Sequence, residues 1–426
     1  MSLAMLVLIV AILMMLRMPV AFAMGIAGAA GLAIQLGPRP ALAVLERVFL
    51  DTTASFILVA IPLFILMAEL LTAGQVTKRA INACQAWLGH VRGGLAVAAV
   101  GASVLLAALI GSSTASTAAM TASAYPEMRR HRYSERLATA VVSVGGTLAV
   151  VVPPSIVLVV YGVLTETSIG KLFIAGILPG LMTATGMAIV IKVIAQTTDA
   201  APAGEPFRLG HAVRTSRHVL PMVVLIIAVI GVIYGGIASP SEAAAFGVMG
   251  AVLIGLSQRS LAFRSLGPAV SMAVRSTVMI VTIIACSHIF ANYLSFTRVT
   301  QNLLALIDSS GLSHGTIMAL IIVTLLVMGM FMDQLAILSL AMPLAFPAAM
   351  AMGYDPVWFG IVVTKTVEIG LITPPLGLNA YVAAGHSGVR LGEVFRGLIP
   401  FIIMELVVLT ILILFPTITL WLPNLM

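Results

Sequence analysis

Ser143–Ser155 reads SVGGTLAVVVPPS, and Thr364–Asn379 reads TKTVEIGLITPPLGLN. Each stretch sets a Pro-Pro pair inside an apolar run. Proline has no N–H, and its ring clashes with the preceding turn, so each pair interrupts a helix and frees backbone carbonyls. The two pairs lie 221 residues apart, and the same shift carries Pro19 to Pro240, Pro126 to Pro347, Pro179 to Pro400 and Gly176 to Gly397. The chain has 21 prolines in 426 residues. At an ordinary proline usage of about 5%, chance would align roughly one such pair or none. The chain therefore reads as a duplicated unit, residues 1–200 and 218–426, with 201–217 as a cytoplasmic linker. Duplication within so apolar a chain points to a transporter.

Composition sets the solvent. The hydrophobic fraction is 61%, and 9% of residues are charged, against about 25% charged in soluble domains. Mean hydropathy is +1.15. Apolar stretches of about 18–25 residues recur, long enough to cross a hydrocarbon core of about 30 Å. The reading is an all-α polytopic membrane protein surrounded by lipid; the alternating ten-residue strands of a barrel are absent. The net charge of +7 fits Lys and Arg in cytoplasmic loops and implies no nucleic-acid partner. Cys84 and Cys286 imply neither a disulfide framework nor a metal site. No Walker motif, HEXXH, GxSxG or paired cysteines occur, so the chain reads as a non-enzyme without a cofactor, driven by an ion gradient or a partner.

Charge orients the spans, read at 3–16, 20–36, 52–73, 137–163, 171–196, 219–237, 243–257, 269–296, 357–385 and 397–421. Basic clusters at Lys78/Arg79/Arg92, Arg129/Arg130/Arg132/Arg136, Arg208/Arg214/Arg217, Arg259/Arg264 and Arg390/Arg396 are placed in the cytoplasm. Both termini then lie outside, and residues 1–16 read as a retained helix rather than a signal peptide. Residues 94–125 are apolar yet have basic clusters on both flanks, which one crossing cannot satisfy. With GSSTAST (Gly111 to Thr117) at its polar middle, this segment is predicted to be a re-entrant hairpin. Its counterpart, 313–352, carries MGMFMDQ (Met328 to Gln334) at the tip and opens from the outside. Five crossings and one hairpin per unit make the second copy inverted.

Four interruptions would carry the chemistry. Carbonyls freed before Pro153, Pro154, Pro374 and Pro375, with Ser and Thr hydroxyls, are hard oxygen ligands for a small cation. Half-helix N-termini offer free N–H groups to a carboxylate. Hairpin tips facing broken helices thus form a paired cation and anion site. Gly145, Gly146 and Gly377 permit backbone conformations closed to other residues. Ser112, Ser113, Thr114, Ser116 and Thr117 are either site ligands or packing residues. Asp333 is either a ligand or an N-cap. Lys365 and Glu368, three apart on one helix face, read as a structural pair. Asn379 reads as a site residue. His288 and Glu405 read as interhelical hydrogen-bond partners, with a proton relay as the alternative.

IPLFILMAELL (Ile61 to Leu71), VVPPSIVLVVYG (Val151 to Gly162), SIGKLFIAGILPG (Ser168 to Gly180), the Asp-bearing second hairpin and EIGLITPPLGLNAYV (Glu368 to Val382) resemble the large membrane subunit, DctM type, of tripartite ATP-independent periplasmic (TRAP) transporters. The resemblance spans nearly the whole chain. It implies an inverted-repeat, elevator-type permease of the bacterial cytoplasmic membrane, taking up an organic acid with sodium. It also implies a small four-span membrane subunit (DctQ type) and an extracytoplasmic substrate-binding protein (DctP type) as partners. Sodium would sit at Ser112, Gly145, Gly146 and Thr147 in one half, and at Asp333, Gly370, Thr373 and Asn379 in the other. Two departures mark this chain: GGTLAVVVPPS stands where the family more often has TLGILIPPS, and Lys365 adds a charge where relatives are often apolar. The alternative of the same architecture is a stand-alone sodium/dicarboxylate symporter. A gated channel or a scaffold subunit is the alternative of another class.

Overall fold

The computed structural model describes residues 9–426 apart from 11, 74, 75, 203, 205, 259, 260, 262 and 310. Part of the expected first span, 3–16, and Arg259 lie outside the described residues. Every regular element among the described residues is helical. Six helices are long and apolar enough to cross a membrane, or up to eight if each of two bent pairs counts as one span. Ten crossings were expected from the sequence. Five of the ten are among these six, the sixth being Gln334–Ala351, expected as an arm of the second hairpin; of the others, 52–73 and 219–237 fall in the bent pairs, Val20–Leu36 has 17 residues, and the second broken helix divides into Pro356–Gly370 and Leu378–Ser387, of 15 and 10 residues.

The expected hairpin at 94–125 is a helix pair, Gly94–Ile110 and Ser113–Arg130, in mutual contact. Gly111 makes the turn with φ of 60°, a left-handed conformation that costs glycine little. The second pair is His314–Gly329 and Gln334–Ala351. The first Pro-Pro pair parts Glu135–Val151 from Ile156–Thr165. Both Pro-Pro peptides are cis.

The 221-residue shift also joins helix starts. Ser134 and Asp355 are the N-caps of the two broken helices; Ser134 Oγ accepts from Leu137 N at 3.3 Å, and Asp355 Oδ1 from Val357 N and Trp358 N at 2.8 and 3.0 Å. Ser112 and Asp333, again 221 apart, are the N-caps of the second arms of the two hairpins. Short oxygen-bearing side chains are favoured there because they can accept from the unpaired first-turn N–H groups.

The core lies on the first halves of the broken helices. All residues from Leu137 to Val151 and from Val357 to Gly370 are buried, as expected of helices enclosed on every side. Ser113–Arg130, Leu378–Ser387 and Leu391–Leu414 pack around Glu135–Val151. Outer helices turn large apolar side chains outward, such as Leu181, Ile189, Ile227, Leu253 and Val278, the face a lipid solvent requires.

One loop expectation is corrected. Residues 37–51, the connection between the spans read at 20–36 and 52–73, belong to the helix Pro38–Thr53 and carry Arg39, Glu46, Arg47 and Asp51. Those four residues are exposed, while Ala41, Val48 and Thr52 are buried. The helix packs on Val20–Leu36 and Phe263–Phe296, then turns by 50° into the span read as 52–73. Its amphipathic pattern was masked by a high content of charge. Val76–Leu88, Leu209–Ser216 and Val299–Ser309 are short helices in other segments read as connections.

Candidate functional site

Each hairpin tip meets the break of the broken helix that follows it. A methyl group built on Gly111 would stand 3.0 Å from the Ile156 side chain, just past the first Pro-Pro. In the second half, Gly377 N donates to Met330 O at 3.4 Å. Gly329 and Gly370 meet backbone to backbone, for a Cβ on Gly370 would fall 2.5 Å from Gly329 Cα. These positions hold glycine because the two chains leave no room for a side chain.

Asn379 joins the two halves. Its Nδ2 donates to Ser113 Oγ at 2.7 Å and to Ser143 O at 3.3 Å, linking the second broken helix to the first hairpin and the first broken helix. Ser113, Ser116 and Thr117 share one helix face and are all buried. Gly146 lies under Thr117, and Gly145 lies under Ser103. Around this junction the buried oxygens Ser103 Oγ, Ser116 Oγ and Asn379 Oδ1 have no hydrogen-bond partner. Leaving a buried polar atom unpaired costs about 1–3 kcal/mol, and such atoms in native proteins call for a reason, such as a ligand. The donor set is neutral oxygen, suited to a hard cation. No group of three or more His, Cys, Asp or Glu that could hold a metal occurs among the described residues.

The remaining sequence candidates divide. Thr147 Oγ1 donates to Val144 O at 2.7 Å, and Thr373 Oγ1 to Ile369 O at 2.6 Å, so both hydroxyls spend their proton on their own helix and keep lone pairs free. Ser112 Oγ and Thr114 Oγ1 lie 3.4 Å apart at the first tip. Asp333 is exposed, and its Oδ2 accepts from Leu335 N at 3.1 Å; the capping role read from the sequence is present. Pro153 and Pro154 are buried, whereas Pro374 and Pro375 are exposed. The first half therefore closes over its break, while the second leaves its break and Asp333 open. Ser103 was not among the sequence candidates. Its signal is that of a lone hydroxyl in the apolar run Gly94–Ile110.

Lys365, Glu368 and Glu405 form a buried ion cluster. Lys365 Nζ lies 3.3 Å from Glu368 Oε2, touches Glu405 Oε2 and donates to Thr183 Oγ1 at 2.7 Å. The pair read between Lys365 and Glu368 is present; Glu405 and Thr183 are additions from other helices. His288 meets Thr52, its Nδ1 3.1 Å from Thr52 Oγ1. A cavity of about 850 Å3, lined among others by Asp51, Thr52, Ser55, Glu166, Ser239 and His288, takes in none of the residues at the hairpin tips and helix breaks.

Helices that break where hairpin tips meet them, within a helical membrane protein, define a transporter core rather than an enzyme. The chain matches the family model described as "Tripartite ATP-independent periplasmic transporter, DctM component" over residues 7–418, and it belongs to that family. It is 37% identical over 375 residues to the C4-dicarboxylate TRAP transporter large permease protein DctM of Pseudomonas aeruginosa, covering 88% of each chain. It is 36% identical to the ectoine TRAP transporter large permease protein TeaC of Halomonas elongata, covering 86% of each. With the isethionate TRAP transporter permease protein DctMQ of Oleidesulfovibrio alaskensis it shares 32% identity, covering 94% of this chain and 63% of the relative. The crystal structure of the YdaH transporter of Alcanivorax borkumensis shares the fold, with a TM-score of 0.65 at 14% identity, covering 91% of this chain and 89% of that one.

Proposed function

We propose that this permease imports a small organic acid with sodium as the coupling ion, taking the acid from an extracytoplasmic binding protein and working beside a small four-span subunit in the bacterial cytoplasmic membrane, both chain ends outside. The two halves are read as inverted repeats, with the hairpins and broken helices moving as an elevator against the other spans. Sodium coupling is carried by one observation: Asn379 ties the second broken helix to Ser113 and Ser143, while its own Oδ1 and the hydroxyls of Ser103 and Ser116 are buried without partners. A small cation would satisfy those oxygens without a charged ligand. The named substrates of the relatives differ (a C4-dicarboxylate, ectoine, isethionate), which fits a selectivity residing largely in the binding protein.

The test is uptake into liposomes holding this chain and its small subunit, with a labelled C4-dicarboxylate and candidate binding proteins outside. Uptake should require the binding protein and should vanish when potassium replaces sodium at constant pH. Full uptake in sodium-free buffer under a pH step would remove sodium coupling. Uptake without any binding protein would favour the stand-alone symporter instead.

A further inference from the structure

We propose that the pocket between the helices Val76–Leu88 and Leu209–Ser216 holds the phosphate headgroup of an anionic phospholipid, whose chains lie along Leu209, Val213 and the span that follows. The two helices are in contact, and aromatic groups hold the linker against the first of them. Trp87 Nε1 donates to Ser216 Oγ at 2.7 Å. The Phe207 ring meets those of Trp87 and His90, with centroids 6.1 and 5.4 Å away. His90 Nδ1 donates to Trp87 O at 2.9 Å, since a carbonyl can only accept. The pocket so formed is about 460 Å3 and is lined among others by Asn82, Gln85, His90, Arg208, His211 and Thr215.

Charge sets the sign of the ligand. Among the described residues, no carboxylate lines the pocket. Residues 76–92 and 199–217 carry six Lys and Arg against two Asp and Glu, and one of those two, Asp199, is paired with Arg92 at 3.7 Å. The side chains of Asn82, Gln85, Arg208 and His211 have no hydrogen-bond or ion-pair partner among the described residues. A guanidinium presents its N–H donors in a planar fork that fits a phosphate, and the two amides add neutral donors.

The place of the pocket selects a lipid over a free phosphate. Leu209–Ser216 bends by 57° into the span Leu220–Tyr234, so it sits at the level where the chain enters the hydrocarbon. Leu209 and Val213, four apart on one helix face, are 59% and 58% exposed, and Trp87, Phe207 and Leu220 are exposed as well. A short helix with an apolar and a basic side is suited to the headgroup boundary, where Trp is also favoured. Basic groups beside a span attract anionic lipids. The inference needs a membrane surface at the start of that span, on either side of the bilayer, and holds for any substrate or coupling ion.

Tryptophan quenching by lipids with brominated chains tests it, using the full-length chain in detergent micelles. The chain has three tryptophans, Trp87, Trp358 and Trp421. Trp358 is buried, so W421F leaves Trp87 as the exposed one. In that background, brominated phosphatidylglycerol should quench at a lower mole fraction than brominated phosphatidylcholine. Adding R208Q should raise the mole fraction of phosphatidylglycerol needed by about fivefold, the worth of one basic group near an anionic surface. R208Q/R214Q/R217Q should remove the difference between the two lipids. All three arginines are exposed, so these variants should fold as W421F does. R298Q, which removes an exposed arginine elsewhere, should change nothing. Equal quenching by the two lipids in W421F would overturn the proposal, as would an effect of R298Q as large as that of R208Q. Displacement of phosphatidylglycerol by millimolar inorganic phosphate would assign the pocket to free phosphate and overturn it too.

Discussion

Replacing Gly146 with alanine puts a methyl group into the contact between the first broken helix and the first hairpin. The new Cβ would lie 2.0 Å from Thr117 Oγ1, 2.8 Å from Thr117 N and 2.9 Å from Ser113 O. The hydroxyl can turn away, but the two backbone atoms cannot. To restore even a tight 3.4 Å contact, Ser113–Arg130 must retreat by about 0.6 Å at Thr117 N. Overpacking of this kind costs about 1–3 kcal/mol. The same retreat draws Ser113 Oγ away from Asn379 Nδ2, now at 2.7 Å, to or past the limit of about 3.2 Å for such a bond, and weakens an interaction worth about 0.5–1.5 kcal/mol.

The expected loss is therefore about 2–4 kcal/mol, read as unfolding in detergent, with uptake lowered in parallel because the Asn379 junction is disturbed. Thr117→Ala in the Gly146→Ala background removes the 2.0 Å contact and leaves the other two, so it should return less than half of the loss. Gly385→Ala serves as the control. Gly385 is a helical glycine with no atom within 4 Å of a built Cβ, and its replacement should stabilise by about 0.5–1 kcal/mol. Full stability in Gly146→Ala, or complete rescue by Thr117→Ala, would refute the close backbone contact as the reason for this glycine.

Further outcomes are expected. Asp333→Asn keeps a cap for Leu335 N, and Asn caps about as well as Asp, so stability should hold; a higher sodium concentration for half-maximal uptake would assign its charge to cation binding, and an unchanged one would leave it as a cap alone. Ser112→Ala should be within about 0.5 kcal/mol of wild type in stability, since Ser112 makes no capping bond, with a smaller effect on sodium dependence. Asn379→Leu strips the amide donor from Ser113 Oγ, while Ser143 O keeps Thr117 Oγ1 as a donor, which should cost about 1–3 kcal/mol and raise the sodium requirement; normal stability and sodium dependence together would displace the site from this junction. Single cysteines at positions 92 and 132, in a background lacking Cys84 and Cys286, should label from the cytoplasm only, and labelling from opposite faces would remove the re-entrant hairpin.

Much of the architecture could be read from local signals. Pro-Pro in an apolar run reports a helix break, and the polar run Gly111 to Thr117 reports a tip. Each depends on the backbone chemistry of a few adjacent residues and survives whatever surrounds it. The helix Pro38–Thr53 was missed for a related reason. Its charged residues lowered its hydropathy, and only its packing on Val20–Leu36 and Phe263–Phe296 shows which face is inside. Of the site candidates, Asn379 and Ser113 were legible as polar residues at interruptions, but nothing local said that they bond each other.

The sequence by itself determined the solvent, the positions of the breaks and tips, and the resemblance that named the family. Tertiary structure alone decided which polar groups meet. Asn379 reaches Ser113 across 266 residues, Lys365 finds Glu405 and Thr183 on two other helices, and Gly146 is required by a hairpin arm that crosses it. The physical reason is one of range. Caps, breaks and hydropathy are set by atoms a few residues apart along the chain, whereas pairing of buried oxygens and charges depends on how helices rotate and approach. That geometry is fixed by the packing of the whole core.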